Sequence, residues 1–521
     1  MCKAVLMALL PIVCCLVYCG MQGKSIGDVY LPASEWNDEL YYFKQVEGII
    51  RFGYPQGYFG FNESHALKLS FAAWSPILVF PWILWGLLFG WNLLSPIICN
   101  ILLLTLAVFL FVWLVKPTWK QLGILALLFC FYTPFVRYML SGMPEIICFS
   151  MLILFYGLAV NYLEWEKGYK LVLLFVISGL LTLMRPYMIL FLLLPVFLWW
   201  RRSRWKGLAG SAVVIAIVGV IYILINHYLG AEYFTPLFFT DWITTFFTDG
   251  FGAGVRHFFA KLYSMGRIFL SHTKQGFLSG LASGAFFGGY LAMMAVLLWQ
   301  SFVDWRKVCA CRAGNREENQ SVPGQQTRLI IQIHLAFSFV AMLFALLLMY
   351  KITEGSKHLL TFIAVGIFVV SLMETKFFKK AVLLAAVFAY LYSYMAVDPY
   401  DYQVPFADQG KVAQIEDWRE LFSADLELKR EHVPDYENVV IWVFSDSTPE
   451  GAVITKWQVL YGLPEGFGIS CCMPDYVIEH MDTLQSRYIA TVSGGTIDSM
   501  CQDAGYREMG RDEDIVFYER Q

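Results

Sequence analysis

The sequence predicts a polytopic α-helical membrane protein with a small C-terminal α/β domain. The chain of 521 residues is 58% hydrophobic and only 15% charged, with a mean hydropathy of +0.56. This balance suits helices that face lipid on most sides, and it does not suit a soluble multidomain protein. The net charge of −3 gives no field that would attract nucleic acid. From residue 398 onward, short predicted strands and helices replace the long apolar runs.

Apolar runs near the roughly 20 residues that a spanning helix needs recur about eleven times. They occupy 4–22, 93–115, 121–140, 144–163, 169–184, 186–200, 206–229, 277–300, 329–350, 358–375 and 380–397. The first run resembles a signal peptide, but no small-residue cleavage site follows it. We therefore expect an uncleaved first helix with its N-terminus in the cytoplasm.

Basic residues indicate on which side of the membrane each loop lies. They cluster at Lys116 and Lys120, at Lys167 and Lys170, at 201–206, at Arg306, Lys307 and Arg312, and at Lys376, Lys379 and Lys380. All these clusters share the side of the N-terminus if the proline-interrupted run 71–90 does not span the membrane. Because cytoplasmic loops are enriched in Lys and Arg, we predict that 71–90 is a juxtamembrane or re-entrant element.

This topology divides the chain into two predicted domains. Residues 1–397 form a transmembrane domain in the plasma (cytoplasmic) membrane, with a first outer loop at 23–92 that carries juxtamembrane helices and a second outer loop at 230–276. Residues 398–521 form an extracytoplasmic α/β domain, in which ENVVIWVF, SRYIATVS and DIVFYER predict strands and PDYVIEHMDTL predicts a helix. We expect 301–328 to be a polar cytoplasmic connector. The second half of loop 230–276 has the pattern of an interfacial amphipathic helix.

Two adjacent carboxylates and two further charged residues lie near the outer ends of the first spans. The stretch WNDELYYF places Asp38 and Glu39 a short way past the first helix, where a solvated loop would also account for them. Arg137 and Glu145 bracket LSGMP between two spans. Glu145 follows a proline and also suits the first turn of a helix, where an acid complements the helix dipole.

Basic residues at outer helix ends form a second group of candidates. Arg185 is isolated between two apolar stretches, and a charge there is costly if it faces lipid. Lys357 and His358 begin a later span on the outer side, against the positive-inside trend. A cation pair at a helix N-terminus suits a phosphate.

The order of these motifs resembles the GT-C superfamily of membrane glycosyltransferases, which includes protein O-mannosyltransferases, the lipid A aminoarabinose transferase and oligosaccharyltransferases. The shared features are an acidic pair on the first outer loop, a proline-containing aromatic segment (74–92), and a second acid on the next short outer loop, here Glu145 in SGMPE. The stretch GYFGFNESHA, which contains Glu63 and His65, precedes the aromatic segment. The resemblance covers roughly residues 4 to 397.

The resemblance implies an inverting transfer from a polyprenyl-phosphate sugar to a hydroxyl on a glycan, lipid or protein. Asp38 would be the base and Glu39 would support it. Arg185, Lys357 and His358 would bind the donor phosphate, and Glu63, His65, Arg137 and Glu145 would be supporting polar residues. Some relatives use a divalent cation such as Mg²⁺ or Mn²⁺ and others use none, and both remain open for this chain. The absence of a WWDYG-type signature argues against transfer to asparagine.

Two other classes of protein compete with this interpretation. A polysaccharide polymerase or ligase would concentrate its chemistry in a late outer loop, and loop 230–276 offers Arg256, His257 and Arg267. A lipid-carrier flippase would need ionisable residues in the middle of the membrane, of which the apolar runs contain almost none.

Overall fold

The computed structural model describes residues 1–34, 36–53, 59–63, 75–131, 134–229, 239–279, 281–313, 322–349, 356–372, 404–425, 436, 439–443, 445, 451–454, 456–464 and 467–521. The predicted span 380–397 lies outside these residues.

Apolar helices dominate the first part of the chain. They are α1 (Cys2–Ala8), α2 (Leu10–Met21), α3 (Asn37–Phe52), α4 (Phe80–Phe89), α5 (Ser95–Val115), α6 (Trp119–Phe131), α7 (Pro134–Met139), α8 (Glu145–Trp165), α9 (Gly168–Met184), α10 (Leu193–Leu229), α11 (Asp241–Thr248), α12 (Phe251–Ser279), α13 (Leu281–Ala313), α14 (Val322–Met349) and α15 (Ser356–Ser371). Five helical segments among the described residues are long and apolar enough to cross a bilayer, and four more are apolar but shorter. The chain is therefore a multi-pass membrane protein, as the composition predicts.

Two predicted spans, 186–200 and 206–229, are joined by a sharp reversal inside α10. Arg204 has a non-helical backbone conformation with φ 50° and ψ −127°. A Cβ on Gly207 would lie 2.4 Å from the carbonyl oxygen of Trp199, so the two halves approach more closely than any side chain there would permit. The basic cluster 201–206 thus lies at the turn between the two predicted spans.

The described part of run 71–90 is too short to cross a membrane. It consists of a 3₁₀ turn, Pro76–Val79, followed by α4, whose 10 residues extend only about 15 Å. Trp82 donates its ring N–H to Asn100 near the start of α5, and the Asn100 amide donates to the carbonyls of Ser141 and Met143. This element therefore lies beside the loop that joins α7 to α8.

Contacts show which segments lie at each of the two ends of the helical bundle. At one end, Lys3 donates to the carbonyl of Pro117, and Gln121 donates to that of Leu372. At the other end, the backbone N–H of Tyr30 donates to the carbonyl of Pro405. Lys3, Pro117 and Gln121 thus lie at the opposite end of the bundle from Tyr30 and Pro405.

The predicted connector 301–328 is largely helical where the structure describes it. Helix α13 continues to Ala313 and α14 begins at Val322, with 314–321 outside the described residues. Polar residues are compatible with a helix that extends beyond the bilayer, because the backbone hydrogen bonds of a helix are satisfied within it.

The C-terminal part builds a mixed six-stranded sheet with flanking helices. Its further helices are α16 (Gln409–Asp425), α17 (Pro474–His480) and α18 (Thr496–Asp503), and its strands are β1 (Phe59–Phe61), β2 (Val439–Trp442), β3 (Gly468–Cys471), β4 (Tyr488–Val492), β5 (Arg507–Arg511) and β6 (Ile515–Glu519). The strand order is β1-β3-β2-β4-β6-β5, with parallel pairing from β1 to β4 and antiparallel pairing beyond. The three strands and the helix expected from the sequence are confirmed.

One strand of this sheet comes from the predicted first outer loop, 23–92. Strand β1 pairs in parallel with β3, so that Phe59 aligns with Ile469 and Phe61 aligns with Cys471. The sheet is therefore completed by a segment some 400 residues earlier in the chain, which attaches the C-terminal domain to the loop that carries the acidic pair.

Candidate active site

The two adjacent acids, Asp38 and Glu39, lie in the first turn of α3. An acid in this position is favoured by the partial positive charge of the helix N-terminus. Successive helical residues are about 100° apart around the axis, so adjacent side chains face different surroundings. Glu39 is fully buried, whereas Asp38 is partly exposed.

Glu39 forms a buried ion pair with Arg137 from the end of α7. Arg137 Nη1 donates to Glu39 Oε1 over 3.0 Å, and the backbone N–H of Gly142 donates to the same oxygen over 3.2 Å. Arg137 Nη2 donates to Ser34 Oγ over 2.9 Å, and the guanidinium lies 3.7 Å from the ring centre of Trp36. Glu39 is thus held by groups from two separate loops.

Burial raises the pKa of Glu39 above its usual range. The charge of Arg137 and hydrogen bonds from Ser34, Arg137 and Gly142 act in the opposite direction, because they favour the ionised form. The balance shows how costly it is to take this carboxylate out of water.

A second buried ion pair joins Arg185 and Glu145. Arg185 Nη2 lies 2.5 Å from Glu145 Oε1, and both side chains are almost completely removed from solvent. Glu145 opens α8 directly after Pro144, and Arg185 ends α9 in an extended conformation. The N-terminal end of α8 and the C-terminal end of α9 therefore bring the pair together.

Arg185 also contacts a histidine and a tyrosine. Its Nη1 donates to His358 Nδ1 over 2.6 Å and to the Tyr187 hydroxyl over 3.2 Å, and that hydroxyl lies 3.0 Å from the same ring nitrogen. Because a guanidinium only donates, Nδ1 of His358 accepts and the ring proton is on Nε2. His358 lies in the first turn of α15.

The two ion pairs belong to one region of the bundle. Tyr138, whose ring lies 4.9 Å from that of Trp36, is within electrostatic range of Asp38, of both arginines and of Glu145. Tyr42, one turn after Asp38 on α3, is within electrostatic range of Arg185. Thus Asp38, Glu39, Arg137, Glu145, Arg185 and His358, which the sequence singles out separately, lie around one end of the bundle.

The remaining candidates lie elsewhere or are not described. Glu63 follows β1 and accepts hydrogen bonds from the backbone N–H groups of Gln485 and Ser486, so it belongs to the sheet. Lys357 lies in α15, but its side chain is outside the described part of the structure, and His65 lies outside the described residues altogether.

Sequence reasoning missed several neutral members of the site. Ser34, Trp36 and Tyr187 contact the two arginines, yet none of them carries a charge that would mark it in an apolar sequence. Their nearness to the acidic pair and to Arg185 in the chain is the only sequence signal that could have suggested them.

A metal ion would need ligands beyond the two ion pairs. Glu39 Oε2 and Glu145 Oε2 are buried and accept no hydrogen bond from the described residues. Within that part of the chain, no three His, Cys, Asp or Glu side chains are grouped so as to hold a cation. The described side chains therefore do not form a complete metal site.

The described part of loop 230–276, which a polymerase or ligase would use, forms a local helical hairpin from α11 and the start of α12. His257 and Lys261 of α12 both pair with Asp241 of α11, and Arg267 lies over the ring of Tyr263. The amphipathic helix predicted for this loop is present as α12. These contacts are internal to the hairpin and gather no catalytic group among the described side chains.

Among the described residues, His334 is an ionisable side chain inside the apolar bundle. His334 on α14 is buried, with Nδ1 3.0 Å from the Tyr156 hydroxyl and Nε2 3.3 Å from the carbonyl of Leu190. A carbonyl only accepts, so Nε2 carries a proton. Both ring nitrogens have hydrogen-bond partners, which suits a structural role better than a proton or ion pathway.

Comparison with solved structures finds likeness to membrane enzymes. One is the oligosaccharyltransferase AglB from Archaeoglobus fulgidus in complex with an inhibitory peptide and dolichol phosphate, which is 14% identical with a TM-score of 0.46. The likeness covers 88% of this chain and 65% of AglB, so this chain spans just under two thirds of the length of AglB. The apo oligosaccharyltransferase of the same organism is 12% identical with a TM-score of 0.48, covering 94% and 69%. ArnT from Cupriavidus metallidurans bound to undecaprenyl phosphate is 9% identical with a TM-score of 0.43, covering 99% and 97%.

These structures come from the groups of GT-C enzymes that the sequence motifs resemble. The likeness concerns the overall fold, and at these TM-scores it supports no inference about the site or the reaction. No protein-family model and no curated protein matches the chain.

Proposed function

We propose that this protein is an inverting membrane glycosyltransferase that moves a sugar from a polyprenyl-phosphate donor to an acceptor hydroxyl at the outer membrane face. The observation that carries the proposal is the difference in solvent exposure among the three acids at one end of the bundle. Glu39 and Glu145 are each buried against an arginine, whereas the Asp38 side chain is partly exposed. Asp38 is therefore the acid of this group that an incoming acceptor can reach.

In the proposed reaction, the Asp38 carboxylate takes the proton of the acceptor hydroxyl as its oxygen attacks the anomeric carbon of the donor. The bond between that carbon and the phosphate oxygen breaks on the opposite face, and the electron pair leaves with the phosphate. Configuration at the anomeric carbon is inverted because one displacement occurs.

The phosphate is proposed to bind at the start of α15. That helix has 16 residues, and its first backbone N–H groups favour an anion. Arg185 is neutralised by Glu145, so its role is to hold His358 through the 2.6 Å hydrogen bond. His358 and Lys357 would then contact the phosphate and stabilise the charge that develops on it.

The test is sugar transfer by the purified protein in proteoliposomes, with radiolabelled polyprenyl-phosphate sugars as donors and extracted native envelope as the acceptor pool. We expect Asp38→Asn to lower turnover by at least about 100-fold, the usual scale for loss of a general base. Glu479→Gln is the matched control, because this acid is exposed on α17. Near-normal turnover of Asp38→Asn would contradict the assignment, and no transfer from any donor by the wild type would contradict the proposed function.

A further inference from the structure

The C-terminal domain reaches the site through Gln458. This residue belongs to a 3₁₀ segment, Trp457–Gly462, and its side-chain amide donates to the carbonyl oxygen of Ser34 over 3.1 Å. Ser34 in turn accepts a hydrogen bond on its Oγ from Arg137, which holds Glu39. A single chain of hydrogen bonds therefore runs from the C-terminal domain to the residue beside Asp38.

The residues of this hydrogen-bond chain are buried, which fixes their geometry. Gln458 is 9% exposed, Ser34 1%, Arg137 2% and Glu39 0%. A buried carbonyl that loses its donor has no water to replace it, so each link constrains the next.

The 3₁₀ segment is itself fixed on two sides. Lys44 on α3 donates to the carbonyl of Leu463 over 2.7 Å, and the ring of Tyr461 lies 5.7 Å from that of Phe43. On the opposite side, a Cβ on Gly462 would lie 3.2 Å from Cα of Arg419 on α16. The segment is thus held between α16 and α3, and its position depends on both.

We infer that Gln458 is a positioning residue of the catalytic end. Through Ser34 and Arg137 it fixes Glu39, and because Asp38 and Glu39 share one helical turn, it also fixes the direction of Asp38. This inference rests on the proposed function for its catalytic consequence, since Gln458 touches neither the acid pair nor a substrate. The C-terminal domain would then be part of the catalytic unit and not merely an appended module.

The first experiment compares kinetic parameters of Gln458→Leu and Gln458→Glu with those of Gln502→Leu, in the full-length protein. Gln502 is a glutamine of the same domain that bonds Asp498 and Tyr518, away from the segment. We expect both Gln458 variants to lower kcat by about tenfold with an unchanged KM for the donor, the scale of one buried hydrogen bond. Gln502→Leu should leave both parameters unchanged. Equal loss in Gln502→Leu, or a change in KM alone, would overturn the inference.

A double-mutant cycle then distinguishes a connected chain from independent packing. Combining Gln458→Leu with Ser34→Ala should lower kcat by little more than either change alone, because each interrupts the same chain. Losses that multiply would mean that Gln458 acts apart from Ser34. Thermal unfolding of each variant identifies any that fails to fold, and the isosteric Gln458→Glu provides the second variant.

A third readout needs no transferase activity. In an Asp38→Cys protein, the rate at which a membrane-impermeant maleimide modifies residue 38 can be followed on the peptide that contains it. Adding Gln458→Leu should change this rate at least about threefold, because the first turn of α3 loses its support, whereas adding Gln502→Leu should not. An unchanged rate would overturn the positioning role even if transfer is observed, and a changed rate would support it even if the proposed donor is wrong.

Discussion

Arg137 and Glu39 lie 98 residues apart in the chain, yet Nη1 of one is 3.0 Å from Oε1 of the other and neither side chain is exposed to solvent. Two charges taken out of water are stable only when their geometry is good and further hydrogen bonds satisfy them. Here Gly142 and Ser34 supply such bonds. The pair therefore determines how the first outer loop sits on the turn between α7 and α8.

Removing one member of this ion pair should destabilise the protein more than removing both. Glu39→Leu leaves the Arg137 charge buried, so we expect a loss of about 3–5 kcal/mol in the free energy of unfolding. Arg137→Met should cost a similar amount, and the double variant should lose less than either single variant. Denaturant unfolding in detergent micelles measures all three, and strictly additive losses would contradict a coupled pair.

The pH dependence of stability should carry a signature of Glu39. Burial raises the pKa of this carboxyl in the folded protein, despite the opposing charge of Arg137. A raised pKa means that the folded state favours the protonated form. The contribution of Glu39 to stability is then fully present below the ordinary carboxyl pKa of about 4.3 and is lost as pH rises through the raised value. The free energy of unfolding of the wild type, relative to that of Glu39→Gln, should therefore fall as the pH rises through the raised pKa.

Glu519 provides a control of opposite sign. Burial raises its pKa, but hydrogen bonds from Arg507 and Arg487 outweigh this, and the pKa is lowered in the folded state. Its contribution should be present above the ordinary carboxyl pKa and lost as pH falls through the lowered value. If Glu39→Gln and Glu519→Gln changed the pH profile in the same direction, the assignment for Glu39 would be wrong.

Arg185→Lys should not behave as a conservative change. The guanidinium bonds Glu145 through one nitrogen and His358 and Tyr187 through another, and a lysine ammonium does not reproduce this planar fork. We expect sugar transfer to fall at least about tenfold, with most of the loss in kcat if His358 contacts the departing phosphate. Arg202→Lys is the matched control, because Arg202 donates to the carbonyl of Glu166 and is exposed. Equal activity of the two variants would remove Arg185 from the site.

Single cysteines at positions 118 and 408 should label from opposite sides of the membrane. Thr118 and Asp408 are both exposed. Thr118 lies at the end of the bundle where Lys3 meets Pro117, and Asp408 follows the backbone contact of Asp28 with Ala407 near the other end. Positive-inside charge predicts that position 118 is cytoplasmic. Peptide-level mass analysis after treatment of intact cells with an impermeant maleimide tests this, and labelling of both from outside would reject the topology.

The sequence reveals the parts of this fold that depend on local pattern. Apolar run length predicts α5, α8 and α9 to within a few residues, and the β-branched stretches predict β2, β4 and β6. These succeed because hydrophobic length and strand alternation are properties of neighbouring residues. Strand β1 has only three residues with a central glycine, so nothing local marks it as the edge of a sheet completed by the C-terminal domain.

The candidate site also depends on contacts between distant residues, which a local sequence pattern does not predict. Each charged residue of the site is conspicuous in an apolar chain, but which acid meets which arginine is decided by helix packing over long separations. The split between Asp38 and Glu39 follows from the start of α3 at Asn37, because one residue of rotation moves a side chain from the interior to the surface. The contribution of Gln458 depends on a contact across 424 residues, which no local pattern encodes.

The junction between β1 and the C-terminal domain should depend on the charge of Glu63. Its carboxylate accepts from the N–H groups of Ser486 at 2.6 Å and Gln485 at 3.0 Å, while its own N–H donates to Ser470. Glu63→Gln keeps the size but replaces an acceptor by an amide that can face those N–H groups. We expect a cost of about 1–3 kcal/mol, the scale for hydrogen bonds to a charged group.

Hydrogen exchange locates this loss directly. The amides of 59–63 and of β3 should exchange faster in Glu63→Gln, because the parallel pairing of β1 with β3 ends at Phe61, two residues before Glu63. Helices α5 and α8, which the pairing does not involve, should keep their protection. Unchanged exchange at β1 would show that Glu63 is dispensable there, and faster exchange throughout the bundle would mean that the variant unfolds globally instead of opening this junction.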